Sequence, residues 1–426
     1  MAQTIENVVC TVCGCVCDDL RVTVEGDRIV HTELACPLAE PWFREVDRHA
    51  PPAAEIESIP VDFDVALART VEILANADAP LIYGLSRSST PGQQSAIALA
   101  DRLGATIDTT ASRCHAPSIR AFQSVGESTC TLGEIRNRAD LVIYWGSNPV
   151  DSHPRHMERY SLDPVGEFVP KGRAGRFLVV ADVQRTASAE QADLFLQVEP
   201  DRDFEALWTL RLLVAGGTPL PGAETGAPLE QLEELAQRMR SCQCGVIFFG
   251  LGVTRSTLGH RNVEALLALV RDLNDYTRFH ARRMRIQGDV AGADSVLCWQ
   301  TGYPFSVNLA PGYPRFNPGE FSANEMLERE EVDACLLVGS EGVDWLSLAA
   351  RERLAEMPVI ALDYPHFASR VPPTVRFTTA VYGVHAAGTA YRMDEVPLPL
   401  KAFLPTAYPT DAQVLDQLAE ELARRS

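Results

Sequence analysis

Four cysteines fall within eight residues, Cys10-Thr-Val-Cys13-Gly-Cys15-Val-Cys17, and a fifth, Cys36, follows further on. Taking Cys10, Cys13, Cys17 and Cys36 leaves two, three and eighteen residues between successive thiols. One tight loop then presents three sulfurs and the fourth arrives from elsewhere, which meets the need of an iron–sulfur cubane for one thiolate per iron. Structural zinc is the rival reading, but its sites usually show two paired C-x-x-C knuckles, whereas here the fourth ligand stands alone. A thioredoxin-type C-x-x-C lacks its βαβ context at Cys10 and Cys13. Cys15 has no assigned role and reads as buried filler.

A second segment able to do chemistry is Ser112-Arg-Cys114-His115-Ala-Pro-Ser118. A Cys-His pair invites a thiol nucleophile with its base, yet adjacent residues on a helix or strand point apart and bond each other poorly. A soft metal bound through Cys114, with His115 over the open position, suits the pair better.

The elements that must position these groups follow from periodicity. Leu20, Val22 and Val24 alternate with polar residues, Gly26-Asp27 supplies a turn, and Arg28-Ile-Val-His-Thr returns the chain towards Cys36, a hairpin. A Pro-rich linker around Pro51-Pro52 and Pro60 leads into helical spacing over 65–75 and 92–103, with the short strand Pro80-Leu-Ile-Tyr-Gly between them. Leu141-Val-Ile-Tyr-Trp-Gly, Phe177-Leu-Val-Val-Ala-Asp, Gly245-Val-Ile-Phe-Phe-Gly, Ala334-Cys-Leu-Leu-Val-Gly339 and Pro358-Val-Ile-Ala-Leu-Asp are apolar runs ending in Gly or Asp. Each reads as a strand buried on both faces of a parallel sheet, whose carboxyl edge is where such folds bind ligands. At those edges Asp182 reads equally as a ribose ligand or a helix cap, and Gly250-Leu-Gly252 is as often a bare turn. The segment 411–425 is a docked amphipathic helix with Val414, Leu415, Leu418 and Leu422 on one face.

At 426 residues, 46% hydrophobic and 22% charged, the chain has material for two or three globular domains. A formal charge of -19 argues against nucleic acid and anionic membrane as partners. Lys171 and Lys401 are the two lysines among 38 basic residues, so arginine carries the cationic chemistry. The first residues show no basic n-region, apolar h-region or twin arginine, and no apolar run spans a bilayer, so the expected location is the cytoplasm. Eleven cysteines there favour thiols and metal ligation over disulfides.

Together the cluster spacing, the Cys-His segment and the strand-end loops resemble the molybdopterin or tungstopterin oxidoreductases, the group that includes formate dehydrogenases. Within it the chain is similar to the B subunits of formylmethanofuran dehydrogenases. The resemblance runs through nearly the whole chain: Val8 to Asp19, Thr109 to Ser118, Tyr144-Trp-Gly-Ser-Asn-Pro149, Ser152-His-Pro-Arg-His156, Trp299-Gln-Thr-Gly-Tyr-Pro304, Pro314-Arg-Phe-Asn-Pro-Gly-Glu320 and Gly388-Thr-Ala-Tyr-Arg-Met393. It implies a [4Fe-4S] cluster on Cys10, Cys13, Cys17 and Cys36, and molybdopterin guanine dinucleotide with Mo or W ligated by Cys114. His115 would relay a proton and Arg285 would hold a formate-like carboxylate. Gly146, Ser147, Asn148 and Pro149 match a cofactor-phosphate loop. Asp182 matches a position reading the guanosine end, Gly250 and Gly252 match a loop serving the other pterin, and Gly339 is a further cofactor-binding candidate.

The implied architecture is α/β: an N-terminal iron–sulfur domain plus two doubly wound Rossmann-like domains of the formate dehydrogenase/DMSO reductase type. The expected boundaries are 1–57 for the cluster domain, 58–109 with 285–396 for a split pterin-binding domain, 110–284 for an inserted one, and 397–426 for a C-terminal extension with a helix. The β-barrel of larger relatives is expected to be absent and supplied by a partner. Implied partners are an amidohydrolase-like A subunit, a C subunit and a small β-barrel D-like subunit or domain, with formate and CO2 as small molecules. The implied activity is CO2/formate interconversion coupled to formylmethanofuran in C1 metabolism. The alternative is a redox-inactive structural subunit of a bacterial formyltransferase/hydrolase complex that releases formate; a simple iron–sulfur carrier would not need so much α/β sheet.

Some positions depart from the family's pattern. Arg285 is followed by Ile286-Gln-Gly-Asp289 where the family has glycine and later asparagine, and the strand-end motif after Asp182 reads Val-Gln-Arg185. His385-Ala-Ala387 replaces an acidic pair, and Pro373-Thr-Val-Arg-Phe-Thr replaces an Ala-Asp-Val-Val-Leu-Pro strand end. The family's lysine between cluster and pterin has no counterpart before Lys171, which leaves Arg44 or Arg48 as substitutes.

Overall fold

The five apolar runs become strands whose every interior residue is buried, because a parallel strand covered by helices on both faces has no wet side. In a computed structural model that describes residues 2–256, 258–367 and 369–425, the fold is mixed α/β and divides into two units, 1–113 with 287–426 and 114–286. The chain leaves the first unit after Arg113 and returns at Gln287.

In the first unit, Ala2–Val8, Leu20–Glu25 and Arg28–Glu33 form an antiparallel sheet, with Val8 opposite Leu20. The expected hairpin is there, and Ala2–Val8 adds a strand that periodicity did not announce. A nine-stranded sheet follows. Its parallel centre runs Thr106–Thr109, Pro80–Gly84, Ala334–Val338, Val359–Asp363, Val375–Thr378. In chain order that is 2-1-3-4-5, a doubly wound arrangement whose direction switches between Pro80–Gly84 and Ala334–Val338. Antiparallel pairs close both edges: Val307–Asn308 with Arg315–Phe316, and Ala54–Ile56 with Ile59–Pro60. The stretch expected to be a Pro-rich linker is therefore partly sheet edge. Proline is tolerated there because an outermost strand owes no ladder bond on its free side.

Helices Phe63–Ala75 and Thr90–Leu103 cover one face of this sheet, and Asp411–Arg425 packs on both through Val414, Leu415, Leu418 and Leu422. Thr90–Leu103 carries proline in its first turn and ends on Gly104 at φ +63°, the left-handed cap that glycine adopts without strain.

In the second unit five strands are all parallel, in the spatial order Leu194–Gln197, Phe177–Asp182, Leu141–Trp145, Cys244–Phe249, Arg278–Arg283. That is 3-2-1-4-5 in chain order, with its switch between Leu141–Trp145 and Cys244–Phe249. Helices Ala116–Val125, Asp203–Val214 and Gly259–Leu273 bury Leu207, Leu210, Leu266 and Val270 against the sheet residues Ile143, Ile247 and Phe279. Among the described residues no helix is long and apolar enough to cross a membrane.

Candidate functional site

The cysteine loop is the end of the hairpin between Ala2–Val8 and Leu20–Glu25. It closes through Cys10 N to Cys17 O at 2.8 Å and Val16 N to Cys13 O at 3.0 Å. Val16 takes φ +37°, an outlier for a β-branched residue, of the kind concentrated at binding loops whose surroundings over-determine them. Cys10, Cys13 and Cys17 are buried, and Cys36 is half-buried at the start of helix Ala39–Glu45, its carbonyl accepting from Ala39 and Glu40. Burial pushes the Cys10 thiol well up, and Cys17, Cys13 and Cys36 add to that through their charge. Cys15 is buried as expected, 1% exposed, and its hydrogen bond is the main cause holding the Cys13 thiol below the ordinary range, against burial and together with the Arg87 charge.

Among the described residues no group of three or more His, Cys, Asp or Glu side chains is arranged around one metal ion. A cubane needs one thiolate for each of its irons, and Cys10, Cys13, Cys17 and Cys36, none of them in a disulfide, are the residues that would supply them.

Cys114, His115 and Arg285 all belong to the second unit. Cys114 ends the one-turn helix Ala111–Cys114, is half-buried, and accepts a bond from Thr254 Oγ1 through its carbonyl at 3.2 Å. His115 is fully buried before helix Ala116–Val125, with Nε2 3.3 Å from Met284 O and Nδ1 3.4 Å from Ser118 Oγ. Burial, then the charges of Arg285 and Arg283, hold its imidazole well below the usual range, so it is neutral at pH 7. Arg285 is 3% exposed. Its carbonyl accepts from His153 Nε2 at 2.6 Å, and a hydrogen on Nε2 leaves Nδ1 to face Ser152 Oγ at 2.8 Å. His153 and Arg283, which pairs with Glu127 at 3.3 Å, were not singled out by motif reading; the Ser152–His156 stretch was the one signal for the former.

Gly146, Ser147, Asn148, Pro149, Gly250 and Gly252 follow the carboxyl ends of Leu141–Trp145 and Cys244–Phe249, the two strands at the second unit's switch point, and Asp182 ends the neighbouring strand Phe177–Asp182. Gly146 N donates to Ala181 O at 2.8 Å and Gly252 N to Gly146 O at 3.0 Å. A Cβ on Gly146, whose φ is +55°, would lie 2.8 Å from Val253 N, and one on Gly252 would lie 2.7 Å from Gly146 Cα. Asn148 Oδ1 accepts from the backbone and hydroxyl of Ser188, which fixes the loop to its neighbour. Asp182 is half-buried and its carboxyl is raised by that burial, while Oδ1 accepts from Val183 N. Gly250 and Gly252, matched by resemblance to a second pterin's loop, thus pack on the same edge as Gly146. Gly339 stands apart, at the switch point of the first unit, where it lines a small cavity with Arg87, Glu341, Asp363, Tyr364 and His366.

The departures also find places. Gln287 pairs with Cys13 in an antiparallel bridge, and Gly288 lies so close to the cysteine loop that a Cβ would sit 2.3 Å from Thr11 O. Arg44 and Arg48, the expected lysine substitutes, are exposed and pair with Glu40 and Glu45. Arg87 is a cation beside the thiols, donating to Thr11 O at 2.7 Å.

Two doubly wound sheets with glycine-lined switch points make a mixed α/β fold that solved structures share. Acetylene hydratase from Pelobacter acetylenicus superposes with a TM-score of 0.74 at 12% identity, over 98% of this chain and 69% of that one. No protein-family model matches the chain. Curated sequences are more specific. The B subunit of the tungsten-containing formylmethanofuran dehydrogenase 2 of Methanocaldococcus jannaschii is 39% identical over 99% of both chains, and that of Methanococcus maripaludis is 37% identical over 99% of both. The chain belongs to the family of formylmethanofuran dehydrogenase B subunits. The crystal structure of the formyltransferase/hydrolase complex from Methylorubrum extorquens with methylofuran matches with a TM-score of 0.71 at 23% identity, covering 88% of this chain and 99% of that one, which is a likeness of fold.

Proposed function

We propose that this chain is the pterin- and cluster-bearing B subunit of a formylmethanofuran dehydrogenase-type complex acting in one-carbon metabolism. The reaction is formate to CO2, one proton and two electrons, or its reverse. The observation that carries this reading is the gathering of Cys114, His115 and Arg285 in one unit, tied by the contact of His115 with Met284, beside a switch point of bare glycine backbone. Cys114 offers the thiolate for molybdenum or tungsten. His115 holds or passes a proton at its ring nitrogens. Arg285 orients the carboxylate by charge and a planar fork of donors. Gly146, Ser147, Asn148 and Pro149 let a dinucleotide diphosphate approach the backbone, Asp182 reaches its guanosine end, Gly250 and Gly252 serve the other pterin, and Gly339 is a further cofactor-binding position. The chemistry supplied by the bound groups is two-electron redox at the metal and one-electron transfer through the [4Fe-4S] cluster on Cys10, Cys13, Cys17 and Cys36.

On this reading 1–57 is a cluster domain, 58–109 with 285–396 and 110–284 are the pterin-binding domains, and 397–426 is an extension. Formate exchanges with an amidohydrolase-like A subunit, with C and β-barrel D-like partners completing the complex in the cytoplasm. The structural-subunit alternative, prompted by the formyltransferase/hydrolase likeness, has the weaker support, 23% identity against 39% over the full length.

Metal and cofactor analysis of the purified complex tests the choice. Iron with molybdenum or tungsten and a guanine dinucleotide is expected, and Cys114→Ala should abolish dye-linked formate oxidation. Formate release that persists in a complex free of heavy metal would overturn the oxidoreductase reading.

A further inference from the structure

Arg87 follows the strand Pro80–Gly84 and lies against the cysteine loop. Its Nη1 donates to Thr11 O at 2.7 Å and Val12 O at 3.2 Å, the two residues between Cys10 and Cys13. Through Nε it donates to Glu341 Oε2 at 2.5 Å, and its own carbonyl accepts from the Tyr364 hydroxyl. The pair is secluded, with side-chain exposures of 14% for Arg87 and 26% for Glu341. Two glycines make room for it: a Cβ on Gly339 would lie 3.0 Å from Arg87 Cβ, and one on Gly288 would lie 3.3 Å from Nη1.

We propose that Arg87, opposed by Glu341, sets the reduction potential of the cluster held by Cys10, Cys13, Cys17 and Cys36. The proposal rests on the cluster reading above. A cluster that accepts an electron becomes more negative, and a fixed cation beside its ligands, shielded from water, stabilises that reduced form and raises the potential. A guanidinium is suited to this because it does not deprotonate, so its charge is constant with pH. Glu341 takes the Nε side of the same guanidinium while the loop carbonyls take Nη1, so it moderates the cation without displacing it from the loop. Arg44 and Arg48, exposed and paired on the surface, are screened by solvent and contribute far less. Arg87 is a positioning and tuning residue: it touches the loop that carries the ligands.

The test is an electron paramagnetic resonance redox titration of the cluster in the anaerobically purified complex. Arg87→Gln is expected to shift the midpoint to more negative potential, Arg87→Lys to restore it towards the wild-type value, and Glu341→Gln to shift it to more positive potential. Opposite signs from the two halves of one ion pair are what a merely structural role does not produce. Unchanged midpoints, or shifts of the same sign in Arg87→Gln and Glu341→Gln, would overturn the proposal while leaving the cluster in place. Absence of any cluster signal in wild-type complex would instead sink the cluster reading, and this inference with it. Should Arg87→Gln fail to assemble, Glu341→Gln decides alone: a positive shift supports the proposal and an unmoved midpoint overturns it.

Discussion

His153 carries information that its motif alone does not. Burial pushes its imidazole down to about 4 from 6.5, and its Nε2–H is committed to the Arg285 carbonyl. The unfolded chain accepts a proton there that the native chain refuses, so the contribution of neutral His153 is intact above about pH 6.5 and is lost as pH falls through about 4. The full difference is about 3 kcal/mol. His153→Gln, which cannot titrate, is expected to flatten the acid limb of the stability curve in that window, read as urea midpoints at several pH values; an acid limb as steep as wild type would contradict it. Cys10, Cys13, Cys17, Cys36, Cys114 and His115 stand out in the sequence as candidates because residue types and short spacings are local facts. The neighbours of Arg87 do not, since its partners Thr11 and Glu341 lie 76 and 254 residues away along the chain.

At the scale of elements, the switch-point edge of the second unit depends on backbone meeting backbone. Gly252→Ala would drive a methyl to 2.7 Å from Gly146 Cα, forcing the two loops apart. Overpacking of this kind costs roughly 1–3 kcal/mol, and, on the proposed function, the pterin content of the purified complex is expected to fall with it. Gly222→Ala makes the control: nothing lies within 4 Å, so only the positive-φ strain is added and cofactor content stays at the wild-type level. The central strands were legible for the reason that they are buried on both faces and so read as unbroken apolar runs. The edges were not. Ala54–Ile56, Ile59–Pro60, Val307–Asn308 and Arg315–Phe316 are two or three residues long, and tertiary pairing rather than local propensity makes them strands.

For the molecule as a whole, the C-terminal helix is structural, since its apolar face completes the core of the first unit. Leu418 is fully buried there, and Leu418→Ala is expected to cost about 2–5 kcal/mol, seen as a lower thermal midpoint. A midpoint equal to wild type would mean that the helix is dispensable. The order in which the parts are made has a further consequence. The cysteine loop precedes both sheets in the chain, but Gln287, which bridges to Cys13, and Gly288, which fits beneath Thr11, belong to the returning segment. On the ribosome the second unit is therefore complete before the first can close its sheet, and the loop emerges long before its backing does. During synthesis the thiols stand open, and the returning segment is what later covers the backbone of their loop.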